Sequence, residues 1–274
     1  MGHDTAVEAA FADVNGTRLY YEARGAGPAL LFLHGFTLDR RMWSRQVEVL
    51  AASHRVVAYD ARGFGQSALP SSEPYRHCDD AAALCEHLGL RNVTVVGQSI
   101  GAHQMLELAI ARPDLVAGYV GVAPSGLATV AFPSEVIAMF AAIREAARTH
   151  TLDEAKALWS HGGWFAPARE DLLLARELDA MLADYSGWHW THPNPAKNLE
   201  PPASERLAAL RIPALLIHGE RDLPYNDEVS RALAHGLAGA KLLRLPRASH
   251  MANMEDPDTV NRAIAELAAR AAQR

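Results

Sequence analysis

The sequence predicts an α/β fold: a mostly parallel central sheet flanked by helices, with a helical segment inserted into it. Three observations predict it. Short β-branched or apolar runs recur at 29–33, 55–59, 92–96, 118–122, 213–217 and 241–245. Helical patterns at 42–51, 76–88, 99–112, 226–235 and 257–270 separate most of them, and strands alternating with helices give a parallel sheet covered on both faces. Between about Ser125 and Ser204 the alternation stops, and the chain turns helical and aromatic with no convincing strand.

Taken in order, residues 10–24 alternate around Asn15-Gly16 and read as an antiparallel hairpin at a sheet edge. Ala29-Leu30-Leu31-Phe32-Leu33 is continuously apolar, as a strand buried on both faces should be. The last helix opens on Asp256 and Pro257, a good N-terminal pair. The inserted segment carries helical patterns at 134–148, 152–160 and 169–184. It divides the chain into a core of residues 1–124 and 205–274 and a helical cap of residues 125–204. A cap that leaves and rejoins the sheet here lies over the carboxyl ends of the strands, where open α/β sheets bind ligands.

Composition narrows the function. The chain has 274 residues, 49% hydrophobic and 21% charged, with a net charge of −6, enough for one large α/β domain with an insertion. The acidity argues against nucleic acid or an anionic membrane as partner. Met1-Gly2-His3-Asp4-Thr5 is polar with an early acid, unlike a signal peptide, and no apolar stretch is long enough to span a bilayer. Cys78 and Cys85 fall two turns apart on one helix, a poor geometry for a disulfide, so both read as reduced thiols of a cytoplasmic protein. The sequons Asn15-Gly16-Thr17 and Asn92-Val93-Thr94 read as a hairpin turn and the start of a buried strand.

The run Gly97-Gln98-Ser99-Ile100-Gly101 joins a strand pattern to a helix pattern. A Ser between two Gly at such a junction sits on a tight turn that aims its hydroxyl outward, and a Cβ at either Gly would collide with the neighbouring strand and helix. The helix N-terminus behind Ser99 favours a developing oxyanion. A serine nucleophile needs a base, and the base needs an orienting carboxylate, following in the order acid then histidine after late strands. His250 lies in the loop after 241–245; the alternative is a surface-loop histidine. His235 sits at a helix end and reads as a dipole partner. Asp222 follows the strand at 213–217 and precedes Pro224; Glu220 is its competitor, and pairing of either with Arg221 is the structural alternative. The oxyanion donors are expected at the main-chain N–H groups of Ile100 and Phe36, with Gly35 permitting the sharp turn and His34 holding the loop. Asp60-Ala61-Arg62-Gly63-Phe64-Gly65-Gln66-Ser67 lacks the Lys and helix start of a phosphate loop and reads as a structured turn. His189 and His192, spaced H-x-x-H without a carboxylate motif, are weak ligands, and no metal or cofactor is expected.

These motifs together resemble the α/β-hydrolase-fold serine hydrolases from the first hairpin to the last helix. They are His34-Gly35-Phe36, Asp60-x-Arg62-Gly63-x-Gly65-x-Ser67, Gly97-x-Ser99-x-Gly101, Gly219-x-x-Asp222 and Ser249-His250. The resemblance implies a Ser99–His250–Asp222 triad, an oxyanion hole from Phe36 and Ile100, and a helical lid. Within the superfamily, the loop motifs and His250-Met251-Ala252-Asn253-Met254-Glu255-Asp256-Pro257 are similar to the 3-oxoadipate enol-lactonase and carboxylesterase branch. Gln98 stands where many relatives have His, and its expected role is only to buttress the elbow. The absence of a His34-Gly35-x-Gly-Pro-Gly stretch weakens a carbon–carbon hydrolase reading, and the Ser nucleophile excludes Asp-dependent dehalogenases and epoxide hydrolases.

The insertion also holds Trp159, Trp164, Phe165, Trp188 and Trp190. Small lids need aromatic bulk to pack, and some of these rings, Trp164, Trp188 and Trp190 foremost, are expected to line an apolar substrate pocket. The expected function is cofactor-independent hydrolysis of a small carboxylic ester or lactone, with a small molecule as partner and a homodimer left open. The alternatives are a carbon–carbon hydrolase of β-diketone-like products and a slow-turnover ligand sensor of the same fold.

Overall fold

Asn15 and Gly16, with φ of 47° and 68°, put two consecutive residues in the left-handed region, the turn geometry that matches the twist of paired strands. The computed structural model describes residues 7–273; the polar opening at residues 1–5 lies outside them. The turn joins β1 (Glu8–Val14) to β2 (Thr17–Arg24). Six more strands follow: β3 (Ala29–Leu33), β4 (Arg55–Tyr59), β5 (Val93–Gln98), β6 (Val116–Val122), β7 (Ala214–Gly219) and β8 (Lys241–Leu245). They form one sheet in the order β1-β2-β4-β3-β5-β6-β7-β8. Only β1 and β2 run antiparallel to their neighbours. Every residue of β3, β5 and β7 is buried, which is why their sequences are continuous apolar runs rather than alternating ones.

Helices α1 (Ser44–Leu50), α2 (His77–His87) and α3 (Ile100–Ala111) connect the early strands. Between β6 and β7 come α4 (Ser134–Thr149), α5 (Leu152–Ser160), α6 (Leu172–Asp184), α7 (Trp188–Thr191) and α8 (Ala203–Arg206). The chain ends with α9 (Pro224–Gly236), α10 (Ala252–Glu255) and α11 (Pro257–Ala271). Among the described residues, no helix is long and apolar enough to cross a membrane.

Several boundaries move from their expected places for local reasons. Asn92 has φ of 51° and cannot start the strand, so β5 begins at Val93. The helix expected over 42–51 opens as a 3-10 turn at Arg40–Trp43, capped by Asp39, whose side chain accepts from the Arg41 N–H. The one expected over 169–184 is interrupted, because the Asp171 carboxylate caps a fresh start by accepting from Leu173 and Leu174 N–H at 2.8 and 3.3 Å. The short α7 had no sequence signal. Asp256 caps α11 through the Thr259 N–H at 3.3 Å, with Pro257 in the first turn.

The helices α4–α7 sit within 125–204 and are tied to the sheet domain at several points. Trp159 Nε1 donates to Thr37 Oγ1 at 2.6 Å and Trp164 Nε1 to Asn226 Oδ1 at 2.8 Å. Ion pairs Arg41–Asp184, Arg45–Glu177 and Arg221–Glu170 close at 2.6–2.7 Å. The indole bonds are buried and hold more firmly than the rim ion pairs, which are exposed and screened.

Candidate active site

The turn between β5 and α3 is built by exclusion. A Cβ on Gly97 would lie 2.3 Å from the Gly101 carbonyl oxygen, and one on Gly101 would lie 2.4 Å from the His34 carbonyl oxygen. Only glycine lets β5 turn this sharply beneath α3 and beside β3. Ser99, between them, is held at φ 56° and ψ −121°, a conformation that costs a non-glycine residue on the order of 1–3 kcal/mol. Its N–H donates to the Val122 carbonyl at 2.9 Å, so pairing to β6 holds the strained residue in place.

The late loops bring the partners to it. Gly219 ends β7, and a Cβ there would meet the Ser249 and Ala248 carbonyl oxygens at 2.3 and 2.5 Å; the two loops run in direct contact. Arg221 N–H donates to the Ala248 carbonyl at 3.0 Å. Across this seam His250 Nδ1 lies 2.8 Å from Asp222 Oδ2, and His250 Nε2 lies 3.0 Å from Ser99 Oγ. The tautomer that fits this geometry has Nδ1–H donating to the carboxylate oxygen and Nε2 left to accept from the serine hydroxyl. The second carboxylate oxygen accepts the Leu223 N–H at 2.7 Å.

The imidazole is fixed from behind. Gln98 Nε2 donates to the His250 carbonyl at 3.0 Å, so the side chain beneath the elbow steadies the histidine loop as well as the turn. Ser249 donates through N–H and Oγ to Glu255 at 2.7 and 2.8 Å. Burial raises the Glu255 carboxyl above its usual range. Glu220 is not drawn in: it lies 3.8 Å from Arg244, and Arg221 pairs with Glu170 rather than with either acid.

On the other side of Ser99 stands the loop after β3. His34 Nε2 accepts the Ala61 N–H at 3.0 Å and Nδ1 donates to the Gly35 carbonyl at 2.8 Å. Burial keeps this imidazole neutral by lowering its pKa. It holds the loop, as its position in the sequence suggested. Gly35 is required for space rather than for its backbone angle, since a Cβ would fall 1.9 Å from Gln98 Oε1. The left-handed residue of the loop is Thr37, at φ 66°. Phe36 and Ile100 flank Ser99 in the wall of one cavity, and neither main-chain N–H donates to another described protein group.

That cavity measures about 180 Å³ and opens onto Ser99 and His250. Its walls are Phe36, Leu38, Ile100 and Met251 below and Phe132, Phe140, Trp159, Trp164 and Phe165 above, with Ser125 and Arg144 as further polar members. Ser125 Oγ lies 3.2 Å from Ser99 Oγ. Trp164 is thus in the wall, as expected. Trp188 and Trp190 are not. Trp190 is 1% exposed and packs behind Phe36, with Tyr185 edge-on at 5.0 Å. Trp188 stacks on His192 at 5.3 Å, over an outer groove by Pro70. The single turn of α7 points these rings at the Phe64 loop and the underside of the segment, so they fasten it down instead of facing the cavity. His189 belongs to the same packing, stacked on Phe64 at 4.4 Å.

Sequence reasoning passed over Phe132, Phe140 and Arg144. A signal was present: Val136, Phe140 and Arg144 fall at four-residue intervals on one stripe of α4, and an arginine on an apolar stripe is out of place on a helix that only packs. Cys78 and Cys85 are free and buried, with both thiols pushed up to about 12 by burial, which leaves them unreactive.

The sequence pattern of the alpha/beta hydrolase family matches residues 30–263. The chain is 27% identical over 263 residues to the 2-hydroxy-6-oxononadienedioate/2-hydroxy-6-oxononatrienedioate hydrolase 2 of Pseudomonas putida, covering 91% of each chain. It is also 27% identical over 263 residues to a non-heme haloperoxidase of Rhodococcus erythropolis, covering 90% of this chain and 94% of the other. Among solved structures, the enol-lactonase from Burkholderia xenovorans LB400 superposes with a TM-score of 0.77 at 25% identity, over 94% of this chain and 99% of that one. With the family's pattern running through nearly the whole chain and its sheet order, elbow and late loops all present, this protein belongs to the alpha/beta hydrolase family.

Proposed function

We propose that this protein hydrolyses a small carboxylic ester or lactone through an acyl-enzyme on Ser99, with no cofactor. The observation that carries the reading is the unbroken chain from Asp222 through His250 to Ser99, at 2.8 and 3.0 Å. Ser99 attacks the carbonyl carbon as His250 Nε2 takes its proton. Asp222 holds the tautomer and stabilises the imidazolium. The N–H groups of Phe36 and Ile100 receive the oxyanion, and the adjoining end of α3 adds favourable dipole charge. His250 returns the proton to the departing alkoxide, then draws one from water, whose hydroxide releases the acid and frees Ser99. The apolar walls favour an acyl group of a few carbons and limit competing water.

The test is a panel of p-nitrophenyl esters, γ- and δ-lactones and vinylogous diketones, run on wild type and Ser99→Ala. Repeated turnover of esters or lactones, with a loss of at least about 10³-fold in the variant, is the expected result. Faster turnover of the diketones would replace the ester reading with carbon–carbon cleavage. A single slow turnover with tight binding would replace it with ligand sensing.

A further inference from the structure

The cavity has one feature that apolar ester hydrolysis does not require. Arg144, midway along α4, contributes to a wall otherwise made largely of aromatic and aliphatic side chains. It is exposed, at the solvent side of the cavity. Arg40, Arg41, Arg45, Arg62, Arg112 and Arg221 each meet a carboxylate within ion-pairing distance. Among the described residues Arg144 meets none, and its guanidinium lies over no aromatic ring. Arg148, one helical turn on, is exposed and likewise without a carboxylate within ion-pairing distance among the described residues.

Resting on the ester reading above, the geometry points to Arg144 as a specificity residue that selects esters or lactones bearing a carboxylate at the end of the acyl chain remote from the scissile bond. A guanidinium offers a planar pair of donors that fits a carboxylate with two parallel hydrogen bonds. The acyl chain lies along Phe36, Phe140 and Trp159 with its carbonyl at Ser99, and the free carboxylate reaches the solvent-side end of the cavity at Arg144. Placing the charge there avoids burying it, since the apolar walls give it no other donor. Arg148 adds long-range attraction, which salt screens.

The test uses the whole protein and the monomethyl esters of succinate, glutarate and adipate, which vary the reach. Each is paired with a neutral isostere in which an isopropyl group replaces the carboxylate: methyl 4-methylpentanoate, 5-methylhexanoate and 6-methylheptanoate. The quantity read is the ratio of kcat/KM for the anionic ester to that for its neutral partner. At the best-fitting length, Arg144→Gln lowers this ratio about tenfold, Arg144→Lys retains most of it, and added salt lowers it in wild type more than in Arg144→Gln. A ratio that Arg144→Gln leaves unchanged at all three lengths overturns the inference. If wild type turns over no ester, the ester reading has failed, and the same pairs are titrated by tryptophan fluorescence. A tenfold rise in Kd for the anionic member alone in Arg144→Gln then supports the arginine's role, and equal changes for both members contradict it.

Discussion

Trp164 of the inserted segment lies against the imidazole of His250, their ring centroids 5.8 Å apart and their planes 38° apart. The indole is held there by Asn226, which accepts its N–H at 2.8 Å and donates to the Pro124 carbonyl at 3.1 Å. One buried amide in the first turn of α9 therefore ties the roof of the cavity to the strand end beside Ser99.

Replacing Asn226 with Ala strands the Trp164 N–H and the Pro124 carbonyl, with the more distant Ala123 carbonyl at 3.5 Å, in a buried site. The expected cost is about 1–3 kcal/mol in thermal or denaturant unfolding. A drop in kcat on esters should accompany it, because the ring no longer keeps water from His250. Unchanged stability and rate would mean that the indole finds another partner.

The carboxylate assignment separates two residues two positions apart. Asp222→Asn keeps the shape but offers Nδ1 the wrong partner, and kcat should fall by roughly 10⁴-fold, the size of the loss such a change causes in an established triad. Glu220→Gln, at the exposed pair with Arg244, should leave the rate within about twofold. Reversed effects would move the acid to Glu220.

The walls can be told from the fastenings by acyl-chain preference. Phe140→Ala enlarges the cavity and should shift the preferred p-nitrophenyl ester toward longer chains. Trp188→Ala should leave that preference where it is, since its ring stacks on His192 outside. Trp190→Ala should cost about 3–5 kcal/mol of stability, with far less effect on preference among chain lengths. A clear shift in preference with Trp188→Ala would put that ring back in the substrate site.

Acid should destabilise the fold through buried neutral histidines. Burial lowers His189 to about 4 and His77 to about 3, from an ordinary 6.5. Below 6.5 the unfolded chain takes up protons that the folded chain refuses, so stability falls as pH drops from there toward the folded values. For His189 alone the difference amounts to about 2 kcal/mol at pH 5. His189→Phe keeps the stacking on Phe64 and removes the titration, so unfolding followed from pH 7 to 5 should lose that much less stability than wild type. An unchanged slope would show that folding does not lower the His189 pKa.

Most of the sheet and the elbow were legible because their causes are local. Gly97 and Gly101 meet main-chain atoms within a few residues or on the next strand, and Asn15-Gly16 and Asp256-Pro257 carry their turn and cap geometry in themselves. Asp222 and His250 were found by their order after late strands, although the contact that joins their loops, Gly219 against Ser249, lies between residues distant in sequence. The aromatic rings of the insertion were not legible in the same way. Trp164, Trp188 and Trp190 have the same chemistry, and only the packing of α7 on Phe36 and Phe64 decides which face the cavity. Arg144 left a trace as a charge on an apolar stripe, but its lack of a partner is a property of the folded molecule.

The most direct test is the intact mass of the protein after treatment with a fluorophosphonate, followed by peptide mapping. Wild type should gain one adduct on Ser99, more slowly in His250→Ala and not at all in Ser99→Ala. Labelling that persists in Ser99→Ala, or maps to another residue, would contradict nucleophilic catalysis at this elbow.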